Sequence, residues 1–87
     1  MEEIENLAKK EIEKMEEVFK NLKLIDEKAT EIYNLALSYF LDAKYFLENK
    51  DFLRAFEAVV ISWAYIDCCL HLKFLEISDE LKRYFTV

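Results

Sequence analysis

Neither glycine nor proline occurs among the 87 residues of this chain. Glycine is the usual residue at positive φ, and proline presets the φ of many tight turns. Two-residue β-hairpins draw heavily on residues that accept positive φ, so a sheet protein would need them at each reversal. A helical protein needs few reversals. With 54% hydrophobic residues to bury, the chain is expected to be all-α. Its length suits one domain over residues 1–87, close to the size at which a single core becomes marginal without disulfides or metals.

Apolar residues at Ile4, Leu7, Ala8, Ile12, Met15, Val18, Phe19 and Leu22 follow the three-and-four spacing of one buried helical stripe. The spacing predicts a first helix over about 3–22, with Glu5 facing Lys9 and Glu16 facing Lys20 on its charged side. The segment "NLKLID" breaks that pattern, and Asp26 is placed to cap a second helix over about 27–48. In this helix Ala29, Ala36 and Ala43 are seven apart, flanked by the large columns Ile32, Tyr39, Phe46 and Tyr33, Phe40, Leu47. A matching small column, Ala55, Ser62 and Cys69, occurs in the third helix, expected over about 52–74. Small residues let helix axes approach toward the short end of the ~8–10 Å range. The two columns are therefore expected to face each other. The short link "ENKD" makes these helices antiparallel neighbours, with Asn49 taking the left-handed position and Asp51 capping the third helix. In "ISDELKRYFTV", Ser78 can cap a short last helix over about 79–85, with Leu81, Tyr84 and Phe85 on one side. The expected architecture is an antiparallel three-helix bundle with a short C-terminal helix.

The formal charge is −6, from 18 acidic and 12 basic residues spread along the chain. No basic stripe of the kind that tracks a phosphate backbone is present, which argues against nucleic acid and against anionic membrane surfaces. The longest uncharged run, Ala58 to Ile66, is nine residues, far short of the ~20 needed to span a bilayer. The charged N-terminus is unlike a signal or transit peptide. Cys68 and Cys69 are adjacent, so in a helix they point about 100° apart and are badly placed to join. They read as reduced thiols in a cytoplasmic protein.

The stretch "YFLDAKYFLENKDFLRAFEAVVISWAYID" resembles the core of the DUF357 family of short archaeal proteins of unknown function. The likeness rests on Tyr39, Asp42, Ala43, Phe46, Leu47, Asp51, Ala55, Phe56 and Asp67, and the ending "YFTV" is also similar. It covers most of the chain from about Tyr33. Where family members often have glycine, in the second turn and within the third helix, this chain has Lys50 and Ala64. The resemblance implies a small helical bundle from an archaeal cytoplasm, and no activity. A weaker likeness links "NKDFLRAFEA" to one tetratricopeptide hairpin, but such repeats need several stacked copies.

The run "AVVISWAYIDCCLHL" raises the question of chemistry, because it carries Asp67 and His71 among apolar and small residues. On a helical wheel the apolar residues fill an arc of roughly 220°, from Trp63, Leu70, Val59 and Ile66 round to Tyr65, Leu72, Ile61 and Cys68. Asp67 and His71 fall outside it, on a strip with Leu53, Glu57, Val60 and Ala64. The leading reading of the two is a solvated or half-solvated i, i+4 pair on that narrow polar strip. The second is a half-buried Asp67 anchoring a donor of a neighbouring element, since burial demands a partner. Catalysis or metal binding ranks third. His71 is the sole histidine, with no Glu three residues before it as a carboxylate-bridged metal bundle requires. No glycine-bearing loop supplies an oxyanion site for Cys68. Asp42 lies at the edge of the second helix's buried face, beside Leu35 and Ser38. No catalytic, metal or cofactor site is therefore assigned, and Asp42, Asp67 and His71 form a candidate polar site.

Leu37, Leu41 and Tyr45 are four apart and turned from the alanine column. Either the first helix covers them, or they form an exposed stripe of the kind that marks a partner or self-association surface. The expected function is a protein-interaction module, with a protein partner or a second copy as its ligand. The alternative is a small enzyme or nucleotide-binding helical domain using Asp42, Asp67 and His71.

Overall fold

The computed structural model describes residues 2–87. Helix α1 runs over Glu2–Asn21, α2 over Thr30–Glu48 and α3 over Phe52–His71, and a 3-10 helix closes the chain at Asp79–Tyr84. A 3-10 turn at Glu27–Ala29 leads into α2, capped by the Asp26 side chain on the Lys28 amide at 2.9 Å. Asp51 caps α3 more loosely, on the Arg54 amide at 3.4 Å.

The α2–α3 pair forms the centre. Ala29, Ala36 and Ala43 on one helix and Ala55, Ser62 and Cys69 on the other all have zero exposure. The two small columns meet as expected, and Ser62 Oγ donates to the Ala36 carbonyl across the seam at 2.7 Å. With no side chain longer than two heavy atoms there, the backbones come close enough for a hydroxyl to reach a helix carbonyl.

Helix α1 packs on one side of this pair. Its buried stripe is Ala8, Ile12, Met15 and Val18, and Phe19 sits against Tyr33 and Phe40 of α2, with ring centroids 5.9 and 5.0 Å apart. Leu7, expected in the stripe, is 45% exposed. Glu5 pairs with Lys9 at 2.7 Å. Glu16 does not take Lys20 and instead reaches Lys44 of α2 at 3.2 Å.

Both helix ends that must reverse without glycine do so in the same way. After α2, the Lys50 amide donates to the Leu47 carbonyl at 3.0 Å and the Asp51 amide to the Phe46 carbonyl at 2.9 Å. After α3, Lys73 donates to Leu70 at 3.1 Å and Phe74 to Cys69 at 3.0 Å. These are paired 5→2 and 6→1 bonds, the Schellman arrangement, which places one residue in the left-handed region. That residue is Lys50 (φ 60) in the first case and Lys73 (φ 61) in the second. The left-handed position thus belongs to Lys50 and not to Asn49, whose φ is −89. Glycine, which the resemblance implies at position 50, would take this conformation without a side-chain cost.

The Lys73 reversal ends α3 at His71, three residues before the expected Phe74. The chain then forms strand β2 (Leu75–Glu76), antiparallel to strand β1 (Lys23–Leu24), with Lys23 opposite Glu76 and Leu24 opposite Leu75. Sequence patterning missed this ribbon, because two-residue strands show no alternation and the pairing joins distant loops. The closing helix is 3-10, and Ser78 at its N-terminus makes no side-chain cap bond. Leu81 and Phe85 are buried and Tyr84 is half-buried, all against the core as expected.

Replacing Lys50 by glycine removes the side-chain cost of the left-handed conformation, about 1–2 kcal/mol, against a smaller loss in unfolded-chain entropy. The variant is expected to be more stable by about 0.5–1 kcal/mol, raising Tm by a few degrees in a thermal melt.

Candidate functional site

Asp67 lies one turn before the end of α3, and only 15% of its side chain is exposed. Its two oxygens are both taken by Thr86: the Thr86 amide donates to Oδ1 at 2.9 Å and the Thr86 hydroxyl to Oδ2 at 2.7 Å. His71 lies nearby, with Nε2 at 2.5 Å from Thr86 Oγ1 and 3.8 Å from Asp67 Oδ2. The single hydroxyl proton of Thr86 goes to Asp67, so the oxygen accepts from His71, and Nε2 carries a proton. The closer partner of each side chain is thus Thr86. The half-solvated i, i+4 contact is present but looser, and Asp67 also anchors donors of a neighbouring element, the C-terminal segment, because the loop after β2 returns the chain along α3.

That anchor holds an aromatic lid. Phe85 stacks on Trp63 with centroids 5.9 Å apart and planes 2° apart, and Trp63 Nε1 donates to the Tyr84 carbonyl at 2.7 Å. Lys14 of α1 lies 5.4 Å from the centre of the Tyr84 ring. The lid and α1 therefore cover the same side of α3. Both Asp67 oxygens are thus engaged in holding the C-terminal segment. Among the described residues, no buried side-chain nitrogen or oxygen lacks a hydrogen-bond partner, and no three His, Cys, Asp or Glu side chains are grouped to hold a metal.

Asp42 is elsewhere. It lines a groove of about 270 Å³ along the other side of the α2–α3 seam, with Tyr39, Phe46, Ala58, Ile61, Arg54 and Glu57. Neither Asp67 nor His71 belongs to that groove, so the structure does not gather the three candidates in one site. A volume below the ~300–1,000 Å³ of small-molecule pockets makes it a surface furrow. Tyr39 and Tyr65 stack across the seam at 6.0 Å. Around them Leu35 is 41% and Ile61 37% exposed. The arc read from the wheel was too wide on this flank: Ile61, Cys68 and Leu72 are exposed. The residues that sequence reasoning missed are Leu35, Tyr39, Ile61 and Tyr65. A seven-residue column, Ile32, Tyr39 and Phe46, carried a signal for Tyr39 alone; Leu35, Ile61 and Tyr65 belong to no such column.

Of the expected stripe, Leu37 is half-buried against the core, while Leu41 and Tyr45 stand 54% and 62% exposed. A larger cleft, about 680 Å³, opens at the end of α3 among His71, Lys73, Glu76 and Lys82. There Lys82 is already neutralised by Asp79 at 2.9 Å, and the rim carries both signs. Cys68 is exposed and Cys69 buried, both as free thiols. Burial first, and the neighbouring Cys68 second, push the Cys69 thiol above its usual range, which keeps it protonated and unreactive.

Together these features define a small helical bundle with a two-helix core, a clamped C-terminal lid and one apolar furrow. The family model for DUF357, a protein of unknown function, matches residues 4–75, and the chain belongs to that family. The crystal structure of protein AF1782 from Archaeoglobus fulgidus, of the same family, is similar: 31% identical with a TM-score of 0.77, covering 88% of this chain and 96% of that one. A search among curated proteins gives no match. The matched segment takes in the first helix, which the sequence resemblance did not use, and stops before "YFTV". The residues carrying the resemblance mostly hold the fold. Ala43 and Ala55 line the seam, Asp51 caps α3, and Asp67 clamps the lid.

Substituting Asp67 by alanine removes two hydrogen bonds to a charged acceptor and is expected to cost about 1–3 kcal/mol. It should also speed hydrogen exchange of the Thr86 amide and shift the emission of Trp63, the sole tryptophan, to longer wavelength. Unchanged exchange and emission would show that the lid is held without Asp67.

Proposed function

We propose that this protein is a docking module for another protein chain, working through the flank of the α2–α3 pair that α1 leaves open. One observation carries the reading: the furrow is walled by α2 and α3 residues alone, with apolar side chains along it and no third element over them. A row of this kind exceeds what the core of a small protein requires, and exposed apolar patches mark interaction surfaces. Exposed Tyr45 adjoins the furrow, with its ring 5.9 Å from that of Phe46. The free thiols, one of them exposed, support a reducing and hence cytoplasmic setting. Among the described residues, no helix is long and apolar enough to cross a membrane.

The use of Asp42, Asp67 and His71 as a catalytic or nucleotide site has weaker support, since Asp67 is engaged by Thr86 and Asp42 lies on the other flank. For the docking reading, affinity-tagged protein and its Ile61→Glu and Ile61→Lys variants, both in the furrow, would be compared in the native host, with Lys10→Glu on the outer face of α1 as control. Sedimentation velocity would follow on each purified protein. The expected result is a set of retained proteins, or a self-associated mass, that the two furrow variants lose and the control keeps. Identical retention and mass for all four proteins would overturn the reading.

A further inference from the structure

Resting on that docking reading, we infer that the occupant of the furrow is a basic amphipathic helix of another protein. The α2–α3 pair already shows what such a layer accepts. On its first flank it holds α1, a 20-residue amphipathic helix, with Phe19 set against two rings and Glu16 bridging to Lys44 at the rim. The open flank repeats the construction. Small Ala58, 6% exposed, lies on the furrow floor between Phe46 and the stacked Tyr39 and Tyr65. A small residue between bulky ones is the shape that admits a ridge of a third helix. Helix-in-groove docking of this sort is read by apolar anchors at i, i+3 or i+4, and i+7.

The charges at the rim choose among possible helices. Asp42 on α2 and Glu57 on α3 line the two walls, and among the described residues neither pairs with a cation. Arg54, the one base of the furrow, is turned to Asp51 at 3.6 Å. The furrow thus presents two unpaired carboxylates against one guanidinium that is shared with Asp51, on a chain of net charge −6. A second copy would bring carboxylates against carboxylates, and −6 against −6, which disfavours encounter and docking alike. Lysines and arginines flanking an apolar ridge supply the complement, one on each wall, as Lys44 does for Glu16 on the other flank.

Three fluorescent 18-residue peptides would test this by anisotropy on the full chain. One has a leucine and alanine ridge flanked by Lys and Arg, one the same ridge flanked by Glu and Asp, and one the basic composition scrambled to destroy the ridge. The basic ridge peptide is expected to bind at least tenfold more tightly than either other peptide. Ile61→Glu should abolish that binding, and Asp42→Lys with Glu57→Lys should reverse the preference between the two ridge peptides, each variant being checked for an unchanged circular dichroism spectrum. Equal binding of the scrambled peptide would overturn the inference by reducing it to bulk charge. If the acidic ridge peptide binds as well and Ile61→Glu still abolishes it, docking stands and the basic partner falls. A dimer that Ile61→Glu dissociates would likewise replace the basic helix by a second copy. Binding indifferent to Ile61→Glu would overturn both.

Discussion

The rest of this structure depends on how closely α2 and α3 approach. Six small residues, Ala29, Ala36, Ala43, Ala55, Ser62 and Cys69, are fully buried along the seam, and a serine hydroxyl reaches a carbonyl of the opposite helix through it. Close approach pushes the large side chains of both helices out to the two flanks. One flank gathers Phe40, Val59 and Ile66 under α1 and the lid. The other gathers Tyr39, Phe46, Ile61 and Tyr65, and stays open. The furrow is thus a consequence of the seam: two helices joined by small residues have two apolar sides, and a third helix covers one.

The ends of the same helices explain how the chain manages without glycine. Each reversal uses a lysine at positive φ, Lys50 and Lys73, a conformation that disfavours any side chain. The cost is met because each turn closes two backbone hydrogen bonds that the helix end would otherwise leave open. The Lys73 turn also aims the chain at β1 and sends the C-terminal segment back along α3, where Asp67 receives Thr86. An aspartate that looked like chemistry in an apolar run is explained by topology, since the returning tail needs an acceptor on the helix it lies against.

Much of this was legible in the sequence because helical contacts are periodic. The seven-residue columns gave both faces of the seam, and "ENKD" gave the antiparallel turn with Asp51 as its cap. Features set by distant pairing were not legible. The β1–β2 ribbon joins segments some fifty residues apart, and Thr86 meets Asp67 nineteen residues away; neither leaves a local pattern. Asn49 was the better guess for a left-handed residue, yet hydrogen-bond geometry places that conformation one position later, whatever residue stands there. The open flank was only partly legible. Tyr45 was marked as surplus apolar surface, while Tyr39, Ile61 and Tyr65 read as core because a wheel shows which residues are apolar and not which of them a neighbour covers.

Small residues at the seam set the helix distance and with it both flanks. Leucine at Ala36 tests this most directly, by chemical denaturation together with the near-ultraviolet circular dichroism of the stacked aromatic residues. Overpacking at a site with no exposure is expected to cost about 1–3 kcal/mol. It should also perturb the aromatic signal, as Tyr39 and Tyr65 are forced apart. A variant with unchanged stability and unchanged aromatic signal would contradict the account, because the seam would then have room that the buried alanine column denies it.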